Sequence, residues 1–288
     1  MLVPQGRFLA ARAASLEAPP AQVLLGLPFD GTSSYKPGSR FAPAALRDVS
    51  HGLETFSYAL QRDLDDLEIG DLGDLDLPFG NTTRALAMIR DAAALLMSHE
   101  TLPLFIGGEH LVTLPIIEAV MERHPDLAVI HFDAHADLRD TYMGEPLSHA
   151  TVMRRVAEQV GPGNLYQFGI RSGTRDEYAY GLAHTNFYPA ALDQVSEVAG
   201  KLSGRPVYLS LDLDILDPGC FPGTGTPEPG GVSVAELLQA LYSLSALQVV
   251  ACDVVELSPP ADPAAIAAIV AAKVVRELLL LTAHGAAG

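Results

Sequence analysis

The stretch HFDAHADLRD, residues 131–140, places imidazoles and carboxylates directly after an apolar run, LAVI (127–130). Buried strands usually continue into turns rich in Gly, Asn or Ser, so the spacing of Asp133, His135 and Asp137 needs a reason. A polar loop that happens to be acidic is the plainer interpretation. Because carboxylates and imidazoles are also the groups that bind divalent cations, the stretch equally predicts a metal site.

Short apolar runs alternate with helical patterns along the whole chain. One helical pattern, TTRALAMIRDAAALLMSHE (82–100), follows Asn81 and opens with Thr82, and both are suitable caps. Continuous apolar runs are typical of strands covered on both faces, and their alternation with helices predicts a mostly parallel sheet in one domain, residues 1–288. Strands are predicted at 22–29, 67–72, 102–108, 127–133, 164–170, 185–189, 206–214 and 249–257.

Four polar clusters follow predicted strands. They are GGEH (107–110), DAHAD (133–137), DLDILD (212–217) and Glu256. In an open parallel sheet, ligands bind outside the carboxyl ends of the strands. We therefore expect all four clusters to meet at one edge of the sheet, which a random scatter of acids would not do.

These clusters supply two histidines and four aspartates: His110, His135, Asp133, Asp137, Asp212 and Asp214. Buried together without compensation, the carboxylates would repel one another and lose their hydration. Four carboxylates are too many for a typical single zinc ion, but they suit two cations that share bridging aspartates, roughly 3.5–4 Å apart. Oxygen-rich ligation with some imidazole favours Mn²⁺.

Composition narrows the class of protein. The chain has 288 residues, 49% of them hydrophobic, and a formal net charge of −17, which argues against nucleic acid as a partner and is compatible with a small cation. Two cysteines, no secretion signal and charged residues within the most apolar stretch, AAIAAIVAAKVVRELLLLTAHG, favour a cytoplasmic protein without a membrane partner.

Five motifs, in order, resemble the ureohydrolase family of arginases and agmatinases, and the details are nearer the agmatinase branch. They are GGEH, DAHAD, DLDILDP, GTGTPEPGG and DVVELSP. The resemblance implies a three-layer α/β sandwich around an eight-stranded, mostly parallel sheet. It also implies two Mn²⁺ per subunit, one bound by His110, Asp133, Asp137 and Asp212, the other by His135, Asp133, Asp212 and Asp214.

The resemblance implies the remaining roles as well. Glu256 resembles the carboxylate that holds the guanidinium group of the substrate, and Asp137 is expected to accept a proton and pass it to the leaving amine. His149, in PLSHATV, resembles the histidine that shuttles protons, and Asp217 resembles an aspartate that orients the ligands. His131 matches no ligand position and is expected to pack or to orient its neighbours. The implied products are urea and an amine.

The identity of the substrate depends on the loop LRDTYMGEPLS (138–148). Asp140 and Glu145 are expected to border the cavity and to pair with a distal ammonium, which favours agmatine, the precursor of putrescine. Arg139 stands where arginases have Asn and would suit a carboxylate, so aminopropylagmatine, guanidinobutyrate and arginine remain alternatives. A non-catalytic metal- or polyamine-binding protein is the alternative from another class. The family also implies a homo-oligomer, a trimer or a hexamer.

Overall fold

A ten-stranded sheet forms the centre of the computed structural model, which describes residues 1–3, 6–190 and 192–283. A separate two-stranded hairpin is formed by β4 and β5. The strands are β1 Leu2–Val3, β2 Arg12–Ala13, β3 Gln22–Gly26, β4 Phe56–Ser57, β5 Arg62–Asp63, β6 Ile69–Leu75, β7 Leu102–Ile106, β8 Ala128–Phe132, β9 Leu165–Phe168, β10 Asn186–Tyr188, β11 Pro206–Asp212 and β12 Gln248–Val255.

Eight strands of the large sheet run parallel, in the order β6-β3-β7-β12-β11-β8-β9-β10. These are the eight strands predicted from the sequence, so the mostly parallel α/β architecture is confirmed. The two further strands, β1 and β2, have two residues each and pair with β6, β1 antiparallel and β2 parallel. They escaped prediction because two residues form no recognisable pattern and their pairing depends on β6.

Helices cover both faces of the sheet and complete three layers. One apolar cluster packs α2, α3 and α4 against Val23 and Leu25, and the other packs α1, α6, α7 and α8 against Leu24. Alternate residues of a strand thus enter opposite layers, which explains why the strands are apolar throughout. The helices are α1 Ala42–Ser50, α2 Thr82–Met97, α3 Thr113–Arg123, α4 Val152–Val160, α5 Arg175–His184, α6 Val195–Lys201, α7 Val234–Tyr242 and α8 Ile266–Thr282.

The sequence explains where α2 begins and why α8 is buried. Asn81 caps α2 because its side chain accepts a hydrogen bond from the backbone N–H of Arg84, at 3.0 Å. The most apolar stretch of the chain forms α8, which is largely buried against the sheet. Over the described ranges, no helix combines the length and apolar character needed to span a bilayer.

Candidate metal centre

Four neighbouring strands bring the polar clusters together. β7, β12, β11 and β8 lie side by side in the middle of the sheet, and each cluster begins at the carboxyl end of its strand. His110 and Asp214 lie in short 3₁₀ turns, His110–Val112 and Leu213–Ile215, while Asp212 is the last residue of β11. The expected meeting of the clusters at one edge of the sheet is therefore what the fold produces.

Three carboxylates surround one nitrogen of His110. The His110 Nδ1 atom lies 3.1 Å from Asp133 Oδ2, 3.2 Å from Asp137 Oδ2 and 3.1 Å from Asp212 Oδ2, yet it makes no hydrogen bond. A proton on Nδ1 would point at one of these oxygens. The three distances are instead nearly equal, so the nitrogen and the three oxygens surround a common space. This arrangement fits a divalent cation bound by one imidazole and three carboxylates.

A hydrogen-bond chain beneath His110 sets which of its nitrogens is free. Ser210 Oγ donates to Asp253 Oδ1 at 2.9 Å, so it accepts from His110 Nε2 at 3.0 Å. Thr113 and Tyr208 also donate to Asp253, a fully buried carboxylate. Because Nε2 of His110 carries the proton in this series of hydrogen bonds, the lone pair of its Nδ1 faces the three aspartates, as a metal ligand requires.

A second group of ligand atoms adjoins the first. His135 Nδ1 lies 2.9 Å from Asp214 Oδ2 and 3.5 Å from Asp133 Oδ1, and the potential ligand atoms of these three residues all lie within 4.8 Å of one another. Asp133 therefore presents one oxygen to His110 and the other to His135. Asp212 faces His110 through Oδ2, while its Oδ1 accepts from the Asp214 backbone N–H at 2.8 Å.

The carboxylates of the site are almost completely shielded from water. Asp133, Asp137, Asp212 and Asp214 are each at most 6% exposed. Burial, together with the neighbouring carboxylates, raises the pKa of Asp212 well above its ordinary value and that of Asp137 to about 7. Bound cations would remove this penalty, since nearby positive charge favours ionised carboxylates. The residues present therefore fit a pair of metal ions.

Two of the predicted catalytic carboxylates have unusual backbone conformations. Asp137 has φ of 52° and Glu256 has φ of 64°, both in the left-handed region that residues other than Gly rarely adopt. Such conformations persist where surrounding contacts impose them, and they concentrate at functional sites. For Glu256 the contacts are with the segment that follows β7: its Oε1 accepts the backbone N–H of His110 at 2.9 Å, and its own backbone N–H donates to the carbonyl oxygen of Gly108 at 2.9 Å.

A cavity of about 210 Å³ opens above the aspartates. Its walls include His135, Asp137, Asp212, Asp214 and Glu256 from the predicted set, and His149 stands at its side. Burial raises the pKa of the Glu256 carboxyl well above its ordinary value, and the carboxylates of Glu109 and Asp214 raise it further. A cationic group entering the cavity would compensate this charge, which suits a guanidinium ion.

His149 stands between the cavity and two loops. Its Nε2 lies 3.1 Å from Ser34 Oγ, its backbone N–H donates to Thr32 Oγ1 at 3.1 Å, and its ring lies edge-on to that of Tyr142. Burial lowers the pKa of His149 to about 4, and the positive charge of Arg139 adds to this effect. The ring is therefore neutral at pH 7 and able to accept a proton.

The cavity also has walls that sequence reasoning missed, namely Ser34, Tyr142 and Glu177. Ser34 follows β3, so the rule about strand ends would have found it. Glu177 fits the T-x-x-E pattern of a helix start, and its carboxylate accepts a hydrogen bond from the backbone N–H of Thr174. Because the pattern explains Glu177 as a cap, it gives no sign that the residue also lies beside the cavity. Tyr142 gives no signal in the sequence.

Asp140 and Glu145 were expected to border the cavity, and neither of them lines it. Asp140 is largely exposed, pairs with Arg155 at 2.6 Å and does not line the cavity. Glu145 lines a neighbouring cavity of about 480 Å³, which shares Ser34 and Tyr142 with the first. Asp217, expected to orient the ligands, instead accepts backbone N–H groups of its own loop, from Gly219, Gly230 and Gly231.

Comparison with known proteins assigns the chain to a family. A model of the arginase family matches residues 21–281. The chain is 47% identical to an agmatinase of Bacillus cereus over 262 residues, 90% of each chain, and 46% identical to an agmatinase of Bacillus subtilis over 279 residues, 95% of each. The structure matches the agmatine ureohydrolase of Thermoplasma volcanium with a TM-score of 0.87 and 29% identity, over 97% of this chain and 95% of that one.

The chain therefore belongs to the arginase family, a class of enzymes with binuclear metal centres. The ureohydrolase resemblance of the sequence motifs is confirmed. Two clusters of histidine and aspartate able to hold metal ions, one containing His110 and one containing His135, are consistent with that class.

We expect the His149 ring to stay neutral from pH 8 down to about pH 5 and to take up a proton near pH 4. The unfolded ring binds a proton below about pH 6.5, so this histidine makes the folded protein less stable as the pH falls through that window. Imidazole NMR of histidine-labelled protein, with the His149→Gln variant to assign the signal, measures the midpoint. A midpoint at or above 6.5 would contradict the burial argument.

Proposed function

We propose that this protein hydrolyses the guanidinium group of agmatine and releases urea and putrescine. The observation that carries the proposal is the sharing of Asp133 between two histidine–aspartate groups, directly below a cavity that contains the buried carboxylate of Glu256. Agmatinases are among the relatives of this chain, which supports agmatine as the substrate.

The site would hold two divalent cations, and we propose Mn²⁺ because the ligands are mostly oxygen with one imidazole on each side. One ion would be bound by His110, Asp133, Asp137 and Asp212, and the other by His135, Asp133, Asp212 and Asp214. The contacts of Asp133 with both histidines support its role as a bridge, and the place of Asp212 between His110 and the backbone of Asp214 is compatible with the same role. When bound, such a pair of ions supplies an activated water at neutral pH, since ligation lowers the pKa of water from about 16 to about 7.

The side chains around the cavity would position the substrate and move its protons. A guanidinium ion is a poor electrophile because its charge is delocalised, so Glu256 must hold it with the central carbon towards the aspartates. As water adds to that carbon and the C–N bond breaks, Asp137 would carry the proton from the attacking water to the nitrogen of the departing amine.

His149 would exchange protons between the cavity and the outside. A neutral ring accepts a proton at its free nitrogen, and the contact of Nε2 with Ser34 Oγ leads towards the exposed loop after β3. This path would return the site to its starting protonation state after each turnover.

Arg139 supports a second candidate, hydrolysis of a guanidino acid. The Arg139 side chain is 37% exposed in the cavity wall, where its Nε lies 3.4 Å from Glu177 Oε2 and its guanidinium lies over the ring of Tyr142. A substrate ending in a carboxylate, such as guanidinobutyrate, would pair with it. The place of Glu145 in the adjoining cavity instead favours a longer cation such as aminopropylagmatine.

Several expectations stay predictions. They are a single domain over residues 1–288, a homo-oligomer of three or six subunits, and a cytoplasmic location. A non-catalytic protein that only binds metal or polyamines is not favoured, because the relatives of this chain include agmatinases. Asp140 is not proposed as a substrate contact, since it pairs with Arg155.

We expect two Mn²⁺ ions per subunit in the active protein. Asp133→Ala or Asp212→Ala should remove both ions, whereas His110→Ala should mainly weaken one, because a bridge serves two ions. Elemental analysis after gel filtration measures the ratio. Asp217→Ala, which changes only a carboxylate bound to its own loop, is the control and should retain both ions. Full activity with one ion per subunit would rule out the two-metal proposal.

Glu256→Gln should retain both metal ions and lose about 100-fold or more in kcat/KM, because it misplaces the guanidinium without removing a ligand. His149→Ala should slow turnover by less than about 100-fold and should recover partly when imidazole is added. Steady-state urea release, with metal content measured on the same samples, separates the two effects. Loss of metal in the Glu256 variant would assign that carboxylate to the metal centre instead.

Comparison of kcat/KM for agmatine, aminopropylagmatine, guanidinobutyrate and arginine tests the substrate. Agmatine should rank first, and Arg139→Gln should lower the residual activity on guanidinobutyrate by about 10-fold or more, the usual effect of a lost charged hydrogen bond. Arg155→Gln is the matched control, because its guanidinium lies outside the cavity. If guanidinobutyrate ranks first and loses that rank in Arg139→Gln, the second candidate is correct.

A further inference from the structure

His131 lies directly beneath the carboxylate that both groups share. It is a fully buried residue of β8, and its Nε2 is 2.9 Å from Asp133 Oδ2. Its ring also lies 5.0 Å from that of His110, centre to centre. By distance alone, His110, His131 and Asp133 form a group that could hold a metal ion. The hydrogen bonds of His131 decide whether it is a ligand.

Gln167 determines which nitrogen of His131 carries the proton. The Gln167 Nε2 amide lies 3.1 Å from His131 Nδ1 and 2.9 Å from the carbonyl oxygen of Ala136. The reverse amide orientation would set Oε1 against the Ala136 carbonyl. Since an amide NH₂ only donates, His131 Nδ1 accepts, and Nε2 must carry the proton that is donated to Asp133.

Neither nitrogen of His131 therefore has a free lone pair for a metal ion. The bond acts instead on one particular oxygen of Asp133. Oδ2 is the oxygen that faces His110, at 3.1 Å from Nδ1, whereas Oδ1 faces His135 and accepts its backbone N–H at 2.6 Å. A carboxylate oxygen has two lone pairs, so a donor on one of them fixes the direction of the other.

We propose that His131, held in one tautomer by Gln167, is a positioning residue that aims Asp133 Oδ2 at the cation on the His110 side. The inference rests on the proposed metal centre. Hydrogen-bond partners of metal ligands typically change metal affinity by about 10–100-fold when they are removed. Here the change should be confined to one of the two ions, because His131 touches only one of the two oxygens.

The test is calorimetric titration of metal-free protein with Mn²⁺ alone. Wild type should bind two ions, and His131→Leu should weaken one of them by about 10–100-fold while leaving the other unchanged. His131→Gln places an amide N–H at a similar distance and should restore most of the affinity. Gln167→Leu leaves His131 in place but frees its tautomer, and it should weaken the same ion by a smaller factor.

Two further variants separate positioning from loss of stability. Gln22→Leu makes the same buried substitution at the opposite end of the sheet, where Gln22 bonds only to Leu279 and Thr282, and it should leave both affinities unchanged. In a His110→Ala background, where the ion next to Oδ2 is already weakened, His131→Leu should have no further effect on the remaining ion. Circular dichroism and the thermal midpoint of each variant report folding.

Each contrary result has a distinct meaning. Unchanged affinities in both His131→Leu and Gln167→Leu would overturn the inference while the metal centre stands. Loss of one ion in His131→Leu that His131→Gln does not restore would make His131 a ligand. Equal weakening of both ions would indicate general disruption and would also overturn it. Wild type that binds no ion would overturn the proposed function itself, and this inference with it.

Discussion

Mutual repulsion of buried carboxylates is the constraint on which the centre of this protein depends. Asp133, Asp137, Asp212 and Asp214 lie nearly out of reach of water at the ends of adjacent strands. Leaving several ionised carboxylates uncompensated in such a place is very unfavourable, so the pKa values of Asp137 and Asp212 rise. Bound cations resolve the conflict, and the rest of the fold holds the oxygens where such cations would need them.

The sheet supplies the support from below. In β11, Ser210 and Asp212 are two residues apart and point to the same side. Ser210 orients His110, and Asp212 would share the cation of His110, so one strand provides both. Likewise, His131 of β8 lies two residues before Asp133, which directly follows the strand, and it orients the carboxylate of Asp133. Both chains of hydrogen bonds end in groups buried between strands and helices, Asp253 and Gln167, where packing leaves little freedom.

The mouth of the cavity follows different physics, because its positive side chain, Arg139, is partly exposed, at 37%, while its partner Glu177 is buried. Arg139 and Glu177 lie beside each other in the wall, so their two charges offset each other there. Exposed charges are screened by solvent and rearrange easily. Selection of the distal end of the substrate therefore depends on these few contacts, and it is separate from the chemistry at the aspartates.

The sequence by itself determined the eight parallel strands and the edge where the polar clusters meet. Both are set by local pattern: an apolar run predicts a strand, and the next residue marks its end. Only the tertiary structure decided that Asp140 turns to Arg155, that Glu177 joins the cavity wall, and that Gln167 controls the tautomer of His131. These contacts join residues 15 to 39 positions apart, and the direction of a side chain in a loop depends on partners that no local pattern encodes.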